Sequence, residues 1–218
     1  MTEAIADRAM PGAVYVAGNR DGILAEEALG RLAYDADAPP VTTETIYDLA
    51  SLTKVLVTTP LAMRLYERGQ LDLEAPVQAY VPEFSGGEKG SVLVADLLAH
   101  CGGLLWWKDL FRAFEGRSAA ESKRGYIDSI CELPLDYPPR SRSVYSDLGF
   151  MLLGEILERL TRRPLDRVAR EEIFAPLGMH AVAYNPPQAW LPRIAPTEDD
   201  PWRGCVLKGA VHDENAFG

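Results

Sequence analysis

The chain has 218 residues, of which 47% are hydrophobic and 25% are charged, and it carries a formal net charge of -10. This composition is that of a folded protein with a sizeable core, which excludes disorder for most of the chain. An acidic surface repels phosphates, so the charge also argues against a nucleic-acid partner.

The chain is predicted to begin with a β-hairpin. Residues 12–17 are rich in strand formers, residues 19–22 (Asn-Arg-Asp-Gly) favour a turn, and residues 23–32 can return as the second strand. A two-stranded hairpin is marginal alone, so residues 1–50 are interpreted as the N-terminal part of a larger α/β sheet domain.

The pattern then becomes helical. Apolar residues recur at helical spacing over residues 51–68, where Pro60 predicts a kink and Gly69 stands where a C-terminal cap is expected. Further helices are predicted at residues 94–100, 119–132, 148–161 and 165–174. We therefore assign residues 51–183 to a mainly helical region and residues 184–218, which are rich in proline, to an irregular tail.

The first candidate site is Ser51-Leu52-Thr53-Lys54, at the start of a predicted helix. A serine needs a neighbouring base to act as a nucleophile, and residues three apart lie on one face of a helix. If Lys54 is partly buried, desolvation lowers the pKa of its ammonium group and lets it accept a proton. The spacing alone is weak evidence, because a capping serine followed by a surface lysine has the same pattern.

The second candidate site is Tyr145-Ser146-Asp147, just before an apolar helix. A tyrosine at such a junction can pass a proton between a serine and a leaving group if a cation such as Lys54 lowers its pKa. Asp147 could orient the lysine or bind a substrate amide. The simpler alternative is that Ser146 or Asp147 caps the helix and that Tyr145 packs.

A glycine turn carries other reactive and aromatic side chains. His100 has no identifiable acidic partner and the G-x-S-x-G elbow is absent, so His100 is predicted to be structural. Cys101 has no adjacent base and is not predicted to be a nucleophile, whereas Trp106-Trp107 either line an acyl pocket or pack. The spacing of His100 and His212 does not support a metal centre, and neither a metal nor a cofactor is predicted.

The cysteines and the hydropathy pattern concern the environment of the protein. Cys101, Cys131 and Cys205 are odd in number and lack C-x-x-C spacing, so we expect free thiols in a reducing compartment. No signal peptide is visible, and no stretch approaches the roughly 18 apolar residues of a membrane helix. These features predict a cytoplasmic protein without a membrane span.

Five segments match, in order, the motifs of one known group of proteins. They are Ala50–Lys54, Leu71–Val77, Asp96–His100, Tyr145–Phe150 with Leu153-Gly154, and Pro176–Met179. Together they make the chain resemble the serine β-lactamase-related proteins, which include class C β-lactamases, penicillin-binding DD-peptidases and family VIII esterases. The resemblance covers nearly the whole chain and implies the α+β fold of β-lactamases and transpeptidases.

The resemblance also implies roles for the candidate residues. Ser51 would be acylated by a substrate carbonyl, and its backbone N–H would form half of an oxyanion hole. Lys54 and Tyr145 would share the work of the general base, and Tyr145 would protonate the leaving group. Asp147, a substrate-binding position, stands where many members have asparagine. An ionised carboxylate only accepts hydrogen bonds, which disfavours recognition of a β-lactam side-chain amide.

One motif of the resembled group is missing. Members carry Lys-Thr-Gly or His-x-Gly on a later strand, and no such motif follows Met179. We therefore expect the chain to correspond to the N-terminal portion only, without the later sheet strands and the C-terminal helix.

These observations predict a serine hydrolase that acts on a small-molecule ester, amide or peptide, as an esterase or DD-peptidase. A β-lactamase is the alternative within the same class. The alternative from another class is a non-catalytic or complementation-dependent protein, which would need a complementing C-terminal segment or a homo-oligomer.

Overall fold

The predicted hairpin is present in the computed structural model, which describes residues 1–217. After a short helix, α1 (Thr2–Ala6), strands β1 (Gly12–Asn19) and β2 (Gly22–Gly30) pair antiparallel along their length. The turn between them closes at Gly22, whose φ of 141° is readily adopted only by glycine.

Residues 185–212, which the sequence predicts to be part of a tail, form one unit with residues 1–49. Ile46 pairs with Ile194 in an isolated parallel bridge. One buried cluster combines side chains from both segments: Leu32, Val41 and Ala195. The second segment contains a 3₁₀ helix and two short antiparallel strands: Gln188–Arg193, β3 (Asp199–Asp200) and β4 (Cys205–Val206).

A second unit contains residues 50–184 and the segment that begins at Asp213. Its α-helices are α2 (Thr59–Glu67), α3 (Val94–Leu98), α4 (Ala119–Glu132), α5 (Asp147–Thr161), α6 (Leu165–Ala169) and α7 (Glu214–Phe217). Short 3₁₀ helices lie at Val77–Ala79, Gly87–Ser91 and Phe111–Phe114, and α6 continues into a π-helical turn at Arg170–Phe174. The helices predicted at 94–100, 119–132, 148–161 and 165–174 are thus confirmed, the last with a change of helix type.

Helix α5 supplies much of the core of this unit. Its fully buried side chains recur at helical spacing: Leu148, Leu152, Leu153, Ile156 and Leu157. Burying several such side chains outweighs the intrinsic preferences of single residues. The core therefore holds the N-terminus of α5, with Ser146 and Asp147, in a defined place.

The prediction of one α-helix kinked at Pro60 is wrong in its detail. A π-helical segment, Lys54–Thr58, precedes α2, and the Thr59 N–H donates to the Lys54 carbonyl five residues back. Pro60 lies in the first turn of α2, where its missing N–H costs little. The predicted end is confirmed, since Gly69 takes a φ of 67° just after the helix.

Candidate active site

Ser51 lies in a turn immediately before the helical residues that lead into the π-helical segment. The residue before it, Ala50, has a φ of 44°, which is uncommon for a residue with a Cβ atom. Lys54 Nζ donates to Ser51 Oγ at 3.1 Å. The structure therefore brings the predicted pair into direct contact, with Ser51 Oγ as the acceptor of a hydrogen bond from Lys54.

Tyr145 contacts the same hydroxyl from a distant part of the chain. Its Oη donates to Ser51 Oγ at 2.6 Å, and its side chain remains 45% exposed. A group that exchanges a proton with a nucleophile must lie within hydrogen-bonding reach of it, and both Tyr145 and Lys54 do.

Asp147, the first residue of α5, pairs with Lys54. The distance from Asp147 Oδ1 to Lys54 Nζ is 2.6 Å, and the two side chains are only 17% and 16% exposed. Of the two roles considered for Asp147, orientation of the lysine is the one for which the structure displays a contact. Its role in substrate binding stays a prediction.

The prediction that burial lowers the pKa of Lys54 is wrong in its net direction. Burial does act in that direction, but the hydrogen bonds and charge interactions with Asp147 and Tyr145 together outweigh it. The pKa of the Lys54 ammonium is therefore raised, and the group is charged at neutral pH. A charged Lys54 cannot accept a proton, so it acts as a cation in this arrangement.

Phe150 contacts the site, although it was not predicted as a site residue and only stood at the end of the matching segment Tyr145–Phe150. Lys54 Nζ lies 5.7 Å from the centre of the Phe150 ring and 5.0 Å from that of Tyr145, within range of a cation–π attraction. Phe150 follows Asp147 by three residues on α5, so helical spacing was the signal that could have placed it near the lysine.

Ser146 caps α5, as the simpler interpretation predicts. Its Oγ accepts from the Gly149 N–H at 3.1 Å and donates to the Leu105 carbonyl at 2.6 Å. The capping and catalytic interpretations of this motif are therefore compatible, because Ser146 holds the helix start while its two neighbours contact Lys54 and Ser51.

The contacts of His100 fit a structural role. The residue follows α3 with a φ of 55°, and its Nδ1 accepts from the Ser146 N–H at 3.0 Å. Its ring lies between those of Tyr145 and Phe150, with centroids 4.8 and 4.9 Å away. Burial, together with the charge of Lys54, lowers the pKa of His100, so the ring is neutral at pH 7.

The other residues around the glycine turn have separate surroundings. Trp106 is 60% exposed, so it is not packed in the core. Its backbone carbonyl accepts a hydrogen bond from the Asp147 N–H at 2.9 Å. Burial, together with the neighbouring Asp96, raises the pKa of the Cys101 thiol, which disfavours a nucleophilic role.

His212 lies in the other unit, where its Nε2 is 3.2 Å from Glu198 Oε1. Among the residues that the structure describes, no group of three or more His, Cys, Asp and Glu side chains could hold a metal ion. Within residues 1–217, every helix is too short or too polar to cross a membrane.

A family model described as Beta-lactamase matches residues 1–215. The N-acetylmuramyl-L-alanine amidase of Bacillus subtilis is 34% identical over 235 residues, covering 95% of this chain and 53% of that protein. A putative D-alanyl-D-alanine carboxypeptidase of Escherichia coli K12 is 35% identical over 200 residues, covering 81% and 45%. The chain thus spans about half the length of the curated relatives it matches.

Solved structures of related proteins also align with this chain. A penicillin-binding protein homolog from Caulobacter crescentus aligns with a TM-score of 0.74 and 25% identity, over 89% of this chain and 51% of that one. A class C beta-lactamase in complex with cefoxitin aligns with a TM-score of 0.76 and 21% identity, over 94% and 54%. The predicted β-lactamase/transpeptidase-like fold is confirmed by these likenesses.

Proposed function

Since the chain belongs to the beta-lactamase family, we propose that Ser51 is the nucleophile of a serine hydrolase that forms an acyl-enzyme. The observation that carries the proposal is the contact of one hydroxyl with two candidate proton-handling groups. Ser51 Oγ lies 2.6 Å from Tyr145 Oη and 3.1 Å from Lys54 Nζ. A serine that merely caps a helix has no need of either neighbour.

Because Lys54 is charged, Tyr145 is the general base in this proposal. In the structure Tyr145 Oη donates to Ser51 Oγ, as Lys54 Nζ does. Once Tyr145 has given up that proton, the Ser51 hydroxyl can donate to Tyr145 Oη. The reacting form is the one in which Tyr145 has lost its proton, with the Lys54 ammonium stabilising the negative oxygen.

In the acylation step, Ser51 Oγ bonds to the substrate carbonyl carbon while Tyr145 takes the serine proton. As the intermediate collapses, the bond to the leaving group breaks and Tyr145 gives the proton to the departing nitrogen or oxygen. Water then attacks the acyl-enzyme by the same route, and Ser51 is regenerated. The Ser51 N–H, next to the first helical turn, is our candidate for one oxyanion donor.

We assign the substrate to the class of amides within peptide-containing molecules. The names of both curated relatives, an amidase and a carboxypeptidase, support an amide over a simple ester. Hydrolysis of β-lactams is the second candidate, and it is favoured by the structural likeness to a class C beta-lactamase. The cytoplasmic location, and the requirement for a complementing segment or second protomer, stay predictions.

Covalent labelling tests the assignment of Ser51. A fluorophosphonate probe should add one equivalent to the protein, measured by intact mass, and Ser51→Ala should abolish the adduct. Ser91→Ala is a matched control, because this exposed hydroxyl donates to the Glu88 carbonyl and lies outside the site, and it should label normally. Undiminished labelling of Ser51→Ala would rule out Ser51 as the nucleophile.

Turnover measurements separate the two substrate classes. The release of D-alanine from acetylated D-alanyl-D-alanine and of alanine from an N-acyl-alanine should be compared with the hydrolysis of nitrocefin. Rapid nitrocefin hydrolysis without cleavage of either amide would favour the β-lactamase alternative.

A further inference from the structure

Tyr145 is held on both sides by one residue, His100. The Val144 N–H donates to the His100 carbonyl at 2.8 Å, and the Ser146 N–H donates to Nδ1 of the His100 ring at 3.0 Å. These two donors immediately precede and follow Tyr145 in the chain. The His100 ring also lies against the Tyr145 ring, with centroids 4.8 Å apart. The backbone and the ring of Tyr145 are thus both held by contacts that do not involve Ser51.

We infer that His100 is a positioning residue for Tyr145, and that it performs this role only with an uncharged ring. The inference rests on the proposed acyl transfer at Ser51, in which Tyr145 is the base. Tyr145 Oη lies 2.6 Å from Ser51 Oγ, and proton transfer requires the two atoms to stay within hydrogen-bonding reach. A shift of about 1 Å at such a contact can cost about 10² in rate. His100 therefore influences the rate through the position of Tyr145.

The hydrogen bond from Ser146 defines which form of the His100 ring can hold Tyr145. Because Nδ1 accepts this bond, the proton of the neutral ring is on Nε2. Protonation of the ring would place an N–H on Nδ1, facing the N–H of Ser146, and two donors cannot bond to each other. The bond after Tyr145 would be lost, while the bond before it, to the His100 carbonyl, would remain. Acid should therefore release Tyr145 on one side.

The surroundings of the ring decide the pH at which this release occurs. Lys54 and Asp147 interact with the ring by charge, with opposite effects, and Tyr145 lies against it. Tyr137 Oη donates to the His100 carbonyl at 3.3 Å. Burial has the largest effect and, together with the charge of Lys54, it lowers the pKa of His100 below its usual value of 6.5. The neutral ring is therefore present at pH 7, and its support of Tyr145 is lost as the pH falls through this lowered pKa.

Two variants separate the acceptor from the ring. His100→Asn keeps an acceptor near the place of Nδ1, does not titrate, and tolerates the φ of 55° at this position. His100→Phe keeps a ring beside Tyr145 but offers no acceptor to Ser146. At neutral pH, we expect the rate of fluorophosphonate labelling to fall by about 10² in His100→Phe and by less than about tenfold in His100→Asn. In this labelling the Ser51 Oγ–phosphorus bond forms, fluoride leaves, and Tyr145 takes the serine proton.

The pH profile of labelling is a readout that a purely structural histidine would not change in a folded protein. Below pH 6.5, the labelling rate of the wild-type protein should fall more steeply with decreasing pH than that of His100→Asn. Circular dichroism at each pH establishes that the compared proteins are folded. His180→Asn is the matched control, because it makes the same change at an exposed histidine after the π-helical turn Arg170–Phe174. Its labelling rate and pH profile should be those of the wild type.

The outcomes separate the inference from the proposed function. Labelling of Ser51 that is as fast in His100→Phe as in the wild type, or a loss as large in His100→Asn as in His100→Phe, overturns the inference alone. An acid limb as steep in His100→Asn as in the wild type also overturns it. Labelling that survives in Ser51→Ala, or no labelling of the wild type, refutes the proposed function and the inference with it. If His100→Phe does not fold, the pH profiles of the wild type and His100→Asn decide.

Discussion

The substitution Ser146→Ala removes one oxygen atom that joins the start of α5 to a neighbouring loop. Ser146 is only 4% exposed. Its Oγ accepts from the Gly149 N–H at 3.1 Å and donates to the Leu105 carbonyl at 2.6 Å. Because Ser146 is buried, its alanine variant loses both bonds in the folded state.

The expected loss in the free energy of unfolding follows from these two hydrogen bonds. Loss of a helix N-cap costs about 1 kcal/mol, and a carbonyl left unpaired away from water costs about 1–3 kcal/mol more. The free energy of unfolding should therefore fall by about 2–4 kcal/mol, a large part of the total of a typical domain. The neighbours of Ser146, Tyr145 and Asp147, should also lose their fixed positions, so labelling of Ser51 should slow.

Urea unfolding followed by circular dichroism measures the loss. Ser143→Ala is the control, because Ser143 is exposed and its Oγ donates to the Ala99 carbonyl; its effect should stay within about 0.5 kcal/mol. A loss for Ser146→Ala no larger than that of the control would show that the cap does not hold the site together.

Three further predictions follow from contacts in the same unit. Tyr145→Phe removes the oxygen 2.6 Å from Ser51 but keeps the ring beside His100, so kcat should fall by about 10²–10⁴ while the unfolding midpoint changes little; wild-type turnover would contradict the role of the phenol. The lowered pKa of His100, caused first by burial, means that the unfolded state binds its proton more readily, so stability should decrease as pH falls below about 6.5. His100→Asn should flatten this slope, and an unchanged slope would contradict it. Gly125→Ala places a Cβ atom 2.0 Å from the Phe114 ring, so it should destabilise by about 1–3 kcal/mol in urea unfolding, although alanine is the better helix former. In a Phe114→Ala background the same change should become neutral or stabilising, and failure to do so would contradict the steric reason.

Local signals in the sequence predicted the helices well. Helix α4 begins and ends where predicted, because Ser118 and Glu121 form a capping box and a Leu-Pro pair follows the last turn. The π-helical segment at Lys54–Thr58 was not predicted, because its wider hydrogen bonding depends on how α2 packs.

Long-range contacts account for the main error at the site. The sign of the Lys54 pKa shift is set by Asp147, 93 residues away, together with Tyr145, and local sequence supplied only the effect of burial. The family motifs placed Ser51, Lys54 and Tyr145 near one another, but they could not assign the proton of the lysine. Phe150 was missed although its helical spacing from Asp147 could have placed it near the lysine.

The π-helical segment makes one helix serve two purposes. An extra residue in a helical turn shifts every later side chain by about 100° around the axis. The extra residue therefore lets the two ends of the helix take different rotations about its axis. One end carries Ser51, and the other buries Leu61, Ala62 and Leu65. For protein engineering, the length of residues 54–58 sets the angle between the two ends of the helix. A one-residue deletion there would make the helix regular but would turn the nucleophile away from Tyr145. A redesign should therefore keep the π-helical segment.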